Sequence, residues 1–417
     1  FGAETSFRAF RTWDDEYVPS NQARLAVGEL DVVRTPPFSM HELWNREAQA
    51  ATFMFNSKSR MTSWEKFSGG HTLYPLLDEY ARKDNSIYPM NKQGERKYNK
   101  LHFCYAASNI VGYLAEALGK EVEKNKGDVT SVIYFAGMGD WYGGMCECPA
   151  CAEIYKDEMW IDPDGRKKAG YTATLIRMLN KVAAQLDKKY PGIRVGTFAY
   201  MSIEAPPGKT IPAKNVVIEV PRLRHCTVHP AATCEKNASY KRNIERWCEL
   251  APGRVYIWEY GISYALPYGF IMPFPCLYSM AENFKWYKSV GVNGVRVQGS
   301  YSSMGGDQAA LKNFVWRKLL WDPKLDPRTV AREFCGGYFG PAATQMFAYV
   351  ETLERSVLEP KMRHLDEFAK PGAVIPRELL AELAALRAGA LTAVGGQQPW
   401  DRRVREATIG VEVMQLD

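Results

Sequence analysis

The sequence predicts an α/β fold, a (β/α)8 TIM barrel with a C-terminal helical region, on three observations. From about residue 35 to 300, short β-branched or aromatic runs alternate with longer amphipathic stretches. Eight such runs fall within roughly 260 residues, the usual span of this barrel. No Gly-rich phosphate loop follows any of them, which argues against an open doubly wound sheet.

The expected strands are 37–43, 51–55, 101–106, 131–136, 194–200, 215–220, 254–260 and Gly294–Gln298. Between them, apolar residues three and four apart predict helices over 109–125, 171–190, 238–250 and 279–289. The second of these stops at Pro191, which cannot continue a helix. Beyond residue 305 the pattern is helical throughout, over 309–320, 328–334, 342–358 and 376–394, with breaks at Asp322-Pro323 and Asp326-Pro327. The barrel is therefore assigned to 35–325 and the helical region to 326–417. Phe1, Phe7 and Phe10 lie at helical spacing, so 1–12 is expected to form a short helix with an apolar face. Too little local chain is present to bury that face. Residues 1–34 are accordingly expected to be a linker or the remnant of an N-terminal α/β domain lying upstream in the same gene product.

Charge and composition exclude several classes. Lysine and arginine number 53 against 47 acidic residues, a net +6, with both signs interspersed and no basic tail of the kind that binds nucleic acid. Nothing approaches the roughly 18 apolar residues that span a bilayer. Eleven Trp, 23 Tyr and 18 Phe make the chain aromatic-rich; much of this must be core, but sugar-binding clefts also use aromatic rings, on which the apolar face of a pyranose stacks. Nine cysteines, an odd and unevenly spaced set, are not the framework of a small disulfide scaffold.

In such a barrel, chemistry belongs just beyond the C-terminal strand ends. Asp140 follows the strand at 131–136 through small residues. Glu259 lies near the end of the strand at 254–260. Two carboxyl groups flanking a glycosidic bond, one protonated and one ionised, are what glycoside hydrolysis requires. Asp140 is therefore expected as general acid/base and Glu259 as nucleophile or stabiliser. The alternatives are a turn or helix-cap role for Asp140 and an interior ion pair for Glu259, with Arg296 on the next strand. Around them His71, Trp141, Tyr200, Trp258, Tyr260, Arg296 and Gln298 are candidate substrate contacts, with Tyr142, Tyr264, Arg34, Asn56 and Arg60 as weaker ones. Each aromatic taken singly is better explained by the core; as a set clustered at strand ends they point to stacking on a sugar ring. The Cys146-x-Cys148-x-x-Cys151 loop can bring three thiolates to one structural zinc, the fourth ligand coming from Cys226, Cys234, His225 or His229. A disulfide within the loop and three unremarkable thiols are the competing readings. Catalysis itself requires no cofactor on this reading.

The order of Pro37-Phe38 to Glu42, Gly70-His71-Thr72, Cys146-x-Cys148-x-x-Cys151 after Asp140, Asn180-x-Val182-Ala183, Ala199-Tyr200, Pro206-Pro207, Trp258-x-Tyr260 and Leu319-Leu-Trp-Asp-Pro323 resembles a bacterial family. It is a domain of unknown function related to α-glucuronidases, one branch of which contains endo-β-N-acetylglucosaminidases acting on complex N-glycans. The resemblance covers about residues 1 to 350. It implies an exported barrel glycosidase with an α/β domain before the barrel, a carbohydrate substrate, and Asp140 in the site. At position 259 the family pattern more often has Asp than Glu, and substrate-assisted relatives would make Asp140 an acid or an orienter of an acetamido group. An exo-acting uronic-acid glycosidase, using Arg60 or Arg296 for the carboxylate, and a non-catalytic carbohydrate-binding barrel are the rival readings.

Overall fold

The computed structural model describes residues 8–9, 16–17, 35–44, 65–99, 102–140, 143–161, 165, 167–300, 306–358 and 363–416. Seven parallel strands form one nearly closed sheet: β1 (Met40–Trp44), β2 (Lys66–Phe67), β3 (Val132–Phe135), β4 (Arg194–Phe198), β5 (Val216–Pro221), β6 (Val255–Tyr260) and β7 (Gly294–Gln298). Their order is β1-β7-β6-β5-β4-β3-β2, so the last strand returns beside the first, as closure of a TIM-like barrel demands. At the seam between β1 and β2, Glu65 accepts hydrogen bonds from Ser39 and Tyr256 and pairs with Arg194. Asn293 donates to Tyr256 Oη at 2.6 Å.

The strands alternate in facing. Met40, Ile133, Val217 and Tyr256 pack with Phe67 as a small separate cluster inside the barrel. The helices α1 (Leu73–Lys83), α2 (Ile110–Lys124), α3 (Pro149–Asp157), α4 (Tyr171–Asp187), α5 (Ala238–Leu250), α6 (Leu277–Val290) and α7 (Ala309–Trp321) share the large core that also covers the outer strand faces. Between β4 and β5 the chain makes only a 3₁₀ turn, Met201–Ile203. Gly294 is required inside: a Cβ there would stand 2.4 Å from the Tyr256 ring.

The helical region contains α8 (Pro327–Phe339), α9 (Ala343–Arg355), α10 (Arg377–Val394), α11 (Trp400–Ala407) and α12 (Ile409–Leu416). Helix α8 starts where expected, with Pro327 in its first turn and Asp326 accepting from Thr329 N at 2.8 Å. Three expectations need correction. Residues 102–106 are not a strand; the apolar run is buried as an irregular segment beside the cysteine loop. The expected helix over 1–12 fails at Arg8–Ala9, which pair antiparallel with Glu16–Tyr17, since an isolated helix of that length is marginal and a hairpin satisfies the backbone locally. No helix was expected within 56–100 or 137–164, yet these stretches contain α1 and α3. The strand expected at 51–55 lies outside the described residues.

Candidate active site

Strand alternation decides which side chains reach the barrel interior. In β6, Trp258 and Tyr260 turn inward: Trp258 meets Phe198 of β4, Trp44 of β1 and Tyr260, with ring centroids 5.8, 5.2 and 6.0 Å apart. Glu259, between them in sequence, faces the opposite way. It is fully buried between sheet and helices, 3.1 Å from Arg222 Nη1, and accepts from Asn283 Nδ2 at 3.0 Å and from the Tyr287 hydroxyl. The catalytic role expected of Glu259 is therefore corrected. Period-two alternation sends its carboxylate into a closed ion pair on the outer face, and its partner is Arg222 rather than Arg296.

Arg296 occupies the interior instead. Its guanidinium lies 4.9 Å over the Trp258 ring, and its Nε stands 3.1 Å from Glu42 Oε2 and 3.7 Å from Glu219 Oε1. Glu219, the only carboxylate of the otherwise apolar strand β5, is fully buried. Neither of its oxygens has a hydrogen-bond partner among the described residues. Desolvation raises its pKa to about 7, against the opposing pull of Arg296. Gln298 sits beside these groups and accepts from Trp258 Nε1 at 3.0 Å.

Above this floor stands a second group. Asp140 Oδ1 is 3.0 Å from the Tyr200 hydroxyl and 3.1 Å from His71 Nε2. His71 is fixed from behind by Nδ1, which donates to the Met138 carbonyl, and its ring lies 5.1 Å from Phe198. The loop Gly69-Gly-His-Thr can approach so closely because position 137 is glycine: a Cβ there would stand 2.3 Å from Gly70 O. The His71 bond and charge, with a smaller contribution from Tyr200, hold the Asp140 carboxyl below its usual range despite partial burial. Desolvation works against the imidazolium of His71. The bonds to Asp140 and Met138, with the charges of Asp140 and Glu219, outweigh it and raise its pKa. The pair is thus an ionised carboxylate beside a proton-bearing imidazole, with side chains 61% and 38% exposed, open to a ligand.

The structure brings His71, Tyr200, Trp258, Tyr260, Arg296 and Gln298 to one end of the barrel with Asp140. Trp141 and Tyr142, like Arg34, Asn56 and Arg60, lie outside the described residues. Tyr264 borders the site, its ring 6.0 Å from Tyr260. Glu42 and Glu219 were missed. The available signal for Glu219 was a lone carboxylate near the C-terminal end of the run Val216-Val-Ile-Glu-Val-Pro221.

The cysteine loop is apart from this site. Cys146, Cys148 and Cys151 converge with Cys104, all four buried and all four sulfurs within 4.8 Å of one another. Cys104 Sγ lies 3.6 Å from Cys148 Sγ and 3.9 Å from Cys151 Sγ, and Met90 N points at Cys146 Sγ from 3.3 Å. A tetrahedral zinc with bonds of about 2.3 Å requires sulfur–sulfur edges of about 3.8 Å. The fourth ligand that such a site would need is offered by Cys104, and not by Cys226, Cys234, His225 or His229. Cys226, Cys234 and His229 gather elsewhere, and His225 pairs with Glu204 at 3.1 Å.

Fold and geometry together define a TIM-like α/β barrel with carboxyl, imidazole and aromatic groups gathered at the C-terminal ends of its strands. The chain belongs to the family described as Domain of unknown function (DUF4838), whose model matches residues 10–351. A search of curated protein sequences gives no match. Among solved structures, the chain is similar to a GH115 4-O-methyl-α-glucuronidase, BtGH115A, with specificity for decorated arabinogalactans. Identity is 11% over 91% of this chain and 54% of that one, with a TM-score of 0.50. It is also similar to Gan42B, a GH42 β-galactosidase from G. stearothermophilus, at 12% identity over 78% of this chain and 65% of that one, with a TM-score of 0.40. A β-galactosidase from Bacillus circulans sp. alkalophilus gives 12% identity, 76% and 63% coverage and a TM-score of 0.38. The chain spans about half to two thirds of the length of these structures. At such identities the likeness concerns the fold. Among the described residues no helix is long and apolar enough to cross a membrane.

Proposed function

We propose that this chain is a glycoside hydrolase acting on a complex glycan or polysaccharide at the mouth formed by His71, Asp140, Tyr200, Glu219, Trp258 and Arg296. The observation that carries the reading is that two carboxyl groups at one end of the barrel sit in opposite environments, Asp140 bonded to His71 and Tyr200, and Glu219 buried with no hydrogen-bond partner among the described residues. Asp140 is drawn toward the anion by His71, and Glu219 toward the acid by burial. Glycosidic cleavage uses one group of each kind. On this reading the substrate displaces Arg296, which stands 3.7 Å from the otherwise inaccessible Glu219 carboxyl. Glu219 then supplies the proton to the departing oxygen, and Asp140 provides the negative charge that supports the oxocarbenium-like centre or orients a participating substituent. This reverses the acid role that position alone suggested for Asp140. Trp258 and Tyr260 offer ring faces for stacking, and Arg296 and Gln298 offer donors for hydroxyl or carboxylate groups.

The buried, unbonded oxygens of Glu219 favour an enzyme over a binding barrel, because an unsatisfied carboxyl is a standing cost to the fold that stacking on a sugar does not require. The resemblance on sequence motifs supports endo-β-N-acetylglucosaminidase-like action. The Arg296 guanidinium supports the uronic-acid alternative. Incubation with a panel of N-glycans and glucuronate-bearing polysaccharides, read by mass spectrometry of released fragments, separates the two. Cleavage within the N-glycan core supports the first, release of terminal uronic acid the second, and no cleavage of any member, with retained binding, the non-catalytic barrel.

For the cysteine loop we propose a structural zinc held by Cys104, Cys146, Cys148 and Cys151. Four thiolates leave no open coordination position, so the ion would stabilise the loop after β3 and take no part in hydrolysis.

A further inference from the structure

Four further side chains of metal-ligating type converge after β5, two strands along the sheet from β3, which the cysteine loop follows. Cys226, His229 and Cys234 lie in the connection between β5 and α5, and His364 comes from the segment between α9 and α10. The two sulfurs and two ring nitrogens lie within 4.8 Å of one another; the first three residues are buried and His364 is half-buried. Cys226 Sγ is 3.2 Å from His229 Nδ1, and Cys234 Sγ is 3.3 Å from His364 Nδ1. The imidazole rings meet edge to face with centroids 5.0 Å apart.

The outward nitrogens decide what the inward ones can do. His229 Nε2 lies 3.2 Å from the Val357 carbonyl, which can only accept, so Nε2 carries the proton and Nδ1 presents a lone pair inward. His364 Nε2 faces the Glu235 carboxylate at 3.7 Å, which favours the same tautomer. A carbonyl or carboxylate behind each imidazole is the usual outer support of a metal-bound histidine. Two separate S–H···N bonds would satisfy each pair but give no reason for the pairs to share one centre.

We infer that Cys226, His229, Cys234 and His364 form a closed zinc site of two thiolates and two imidazoles that fastens the segment after α9 to the barrel mouth. Its two thiols, two nitrogens and absence of a carboxylate ligand suit zinc in a structural, tetrahedral role. Direct bonds link the same two segments: Thr227 N donates to Leu365 O at 2.8 Å, and Arg224 N to Glu367 Oε1 at 2.8 Å. Glu367 O also accepts from Tyr264 N at 2.6 Å. Phe368 stacks on Tyr264, whose ring borders Tyr260. The zinc thus anchors the backing of the aromatic wall of the mouth. This inference stands independently of the reaction performed there.

The test is X-ray absorption at the zinc edge on the native protein, with elemental analysis. About two zinc ions per chain, with an average shell of about three sulfurs and one nitrogen, is the expected sum of an all-thiolate site and a mixed thiolate–imidazole site. The variant His364→Ala should lose about one equivalent and shift the remaining shell to sulfur alone, while Cys104→Ser should lose the other equivalent. Should either variant fail to fold, the shell of the wild-type protein still decides. An all-sulfur shell, a metal-free folded protein, or a Cys226–Cys234 disulfide in peptide mapping would overturn the inference.

Discussion

Replacing Glu219 by Gln should stabilise the protein at alkaline pH while removing its activity. Glu219 is fully buried in the barrel floor with neither oxygen bonded among the described residues, and burial pushes its pKa up to about 7 from 4.5 in the unfolded chain. Below pH 4.5 the group is protonated in both states and contributes nothing to the pH dependence. Between 4.5 and about 7 the unfolded chain releases its proton and the folded one keeps it, so stability falls as pH rises. Above about 7 the penalty is complete. At 1.36 kcal/mol per decade it amounts to about 3 kcal/mol. Glutamine has nearly the same shape and no charge, so its stability relative to wild type isolates this one titration. Urea unfolding of both proteins should show the difference growing by about 3 kcal/mol between about pH 4 and 8.5 in favour of the variant. Turnover on any glycan cleaved by the wild type should fall at least 10²-fold at neutral pH, since the proton donor is gone. A stability difference that does not change with pH would refute the burial argument. Wild-type turnover in the variant would refute the acid assignment.

For Asp140→Asn we expect native thermal stability and a loss of turnover of 10² or more, checked by steady-state kinetics on the same substrate; an unchanged rate would remove Asp140 from the site. The His71–Asp140 pair has a defined window. The depressed carboxyl keeps its charge until pH falls below its usual range near 3.8, and the raised imidazole keeps its proton above 6.5, so substrate binding that uses the pair should weaken on either side. The His71→Gln variant should abolish the alkaline limb of that profile. Glu259→Gln should lower stability by about 3–5 kcal/mol, because it leaves Arg222 buried and uncompensated. Azide should restore no activity to it, and a stable but inactive variant rescued by azide would return Glu259 to the chemistry. Cys104→Ser or zinc chelation should lower the melting temperature without abolishing hydrolysis by the folded fraction.

Most of the barrel was legible because its strands are long enough to carry a pattern. The runs at 131–136, 194–200, 215–220, 254–260 and Gly294–Gln298 each coincide with an observed strand, and 171–190 and 238–250 with helices. What escaped was short or non-local. Strand β2 has two residues, below the length at which alternation is visible. Helix α1 follows Gly69 and Gly70 directly and carries Pro75 in its first turn, both of which mask a helical pattern. The run at 101–106 is as apolar as a strand, and burial without pairing gives the same composition. In the site, alternation within β6 was the decisive local rule: Trp258 and Tyr260 face inward, so Glu259 cannot. Cys104 is 42 residues from Cys146, and His364 is 130 residues from Cys234, so only the fold could complete either group of candidate ligands.

The central claim is that a sugar binds between Asp140 and Glu219 over Trp258. Its most direct test is a crystal structure of the Glu219→Gln variant soaked with a glycan that the wild-type protein cleaves. The account expects a pyranose face on Trp258 or Tyr260, the scissile oxygen within about 3.2 Å of the residue 219 amide, and Asp140 beneath the adjoining ring. A glycan bound elsewhere on the barrel, or at the mouth with neither residue 219 nor Asp140 within reach of the scissile bond, would contradict it.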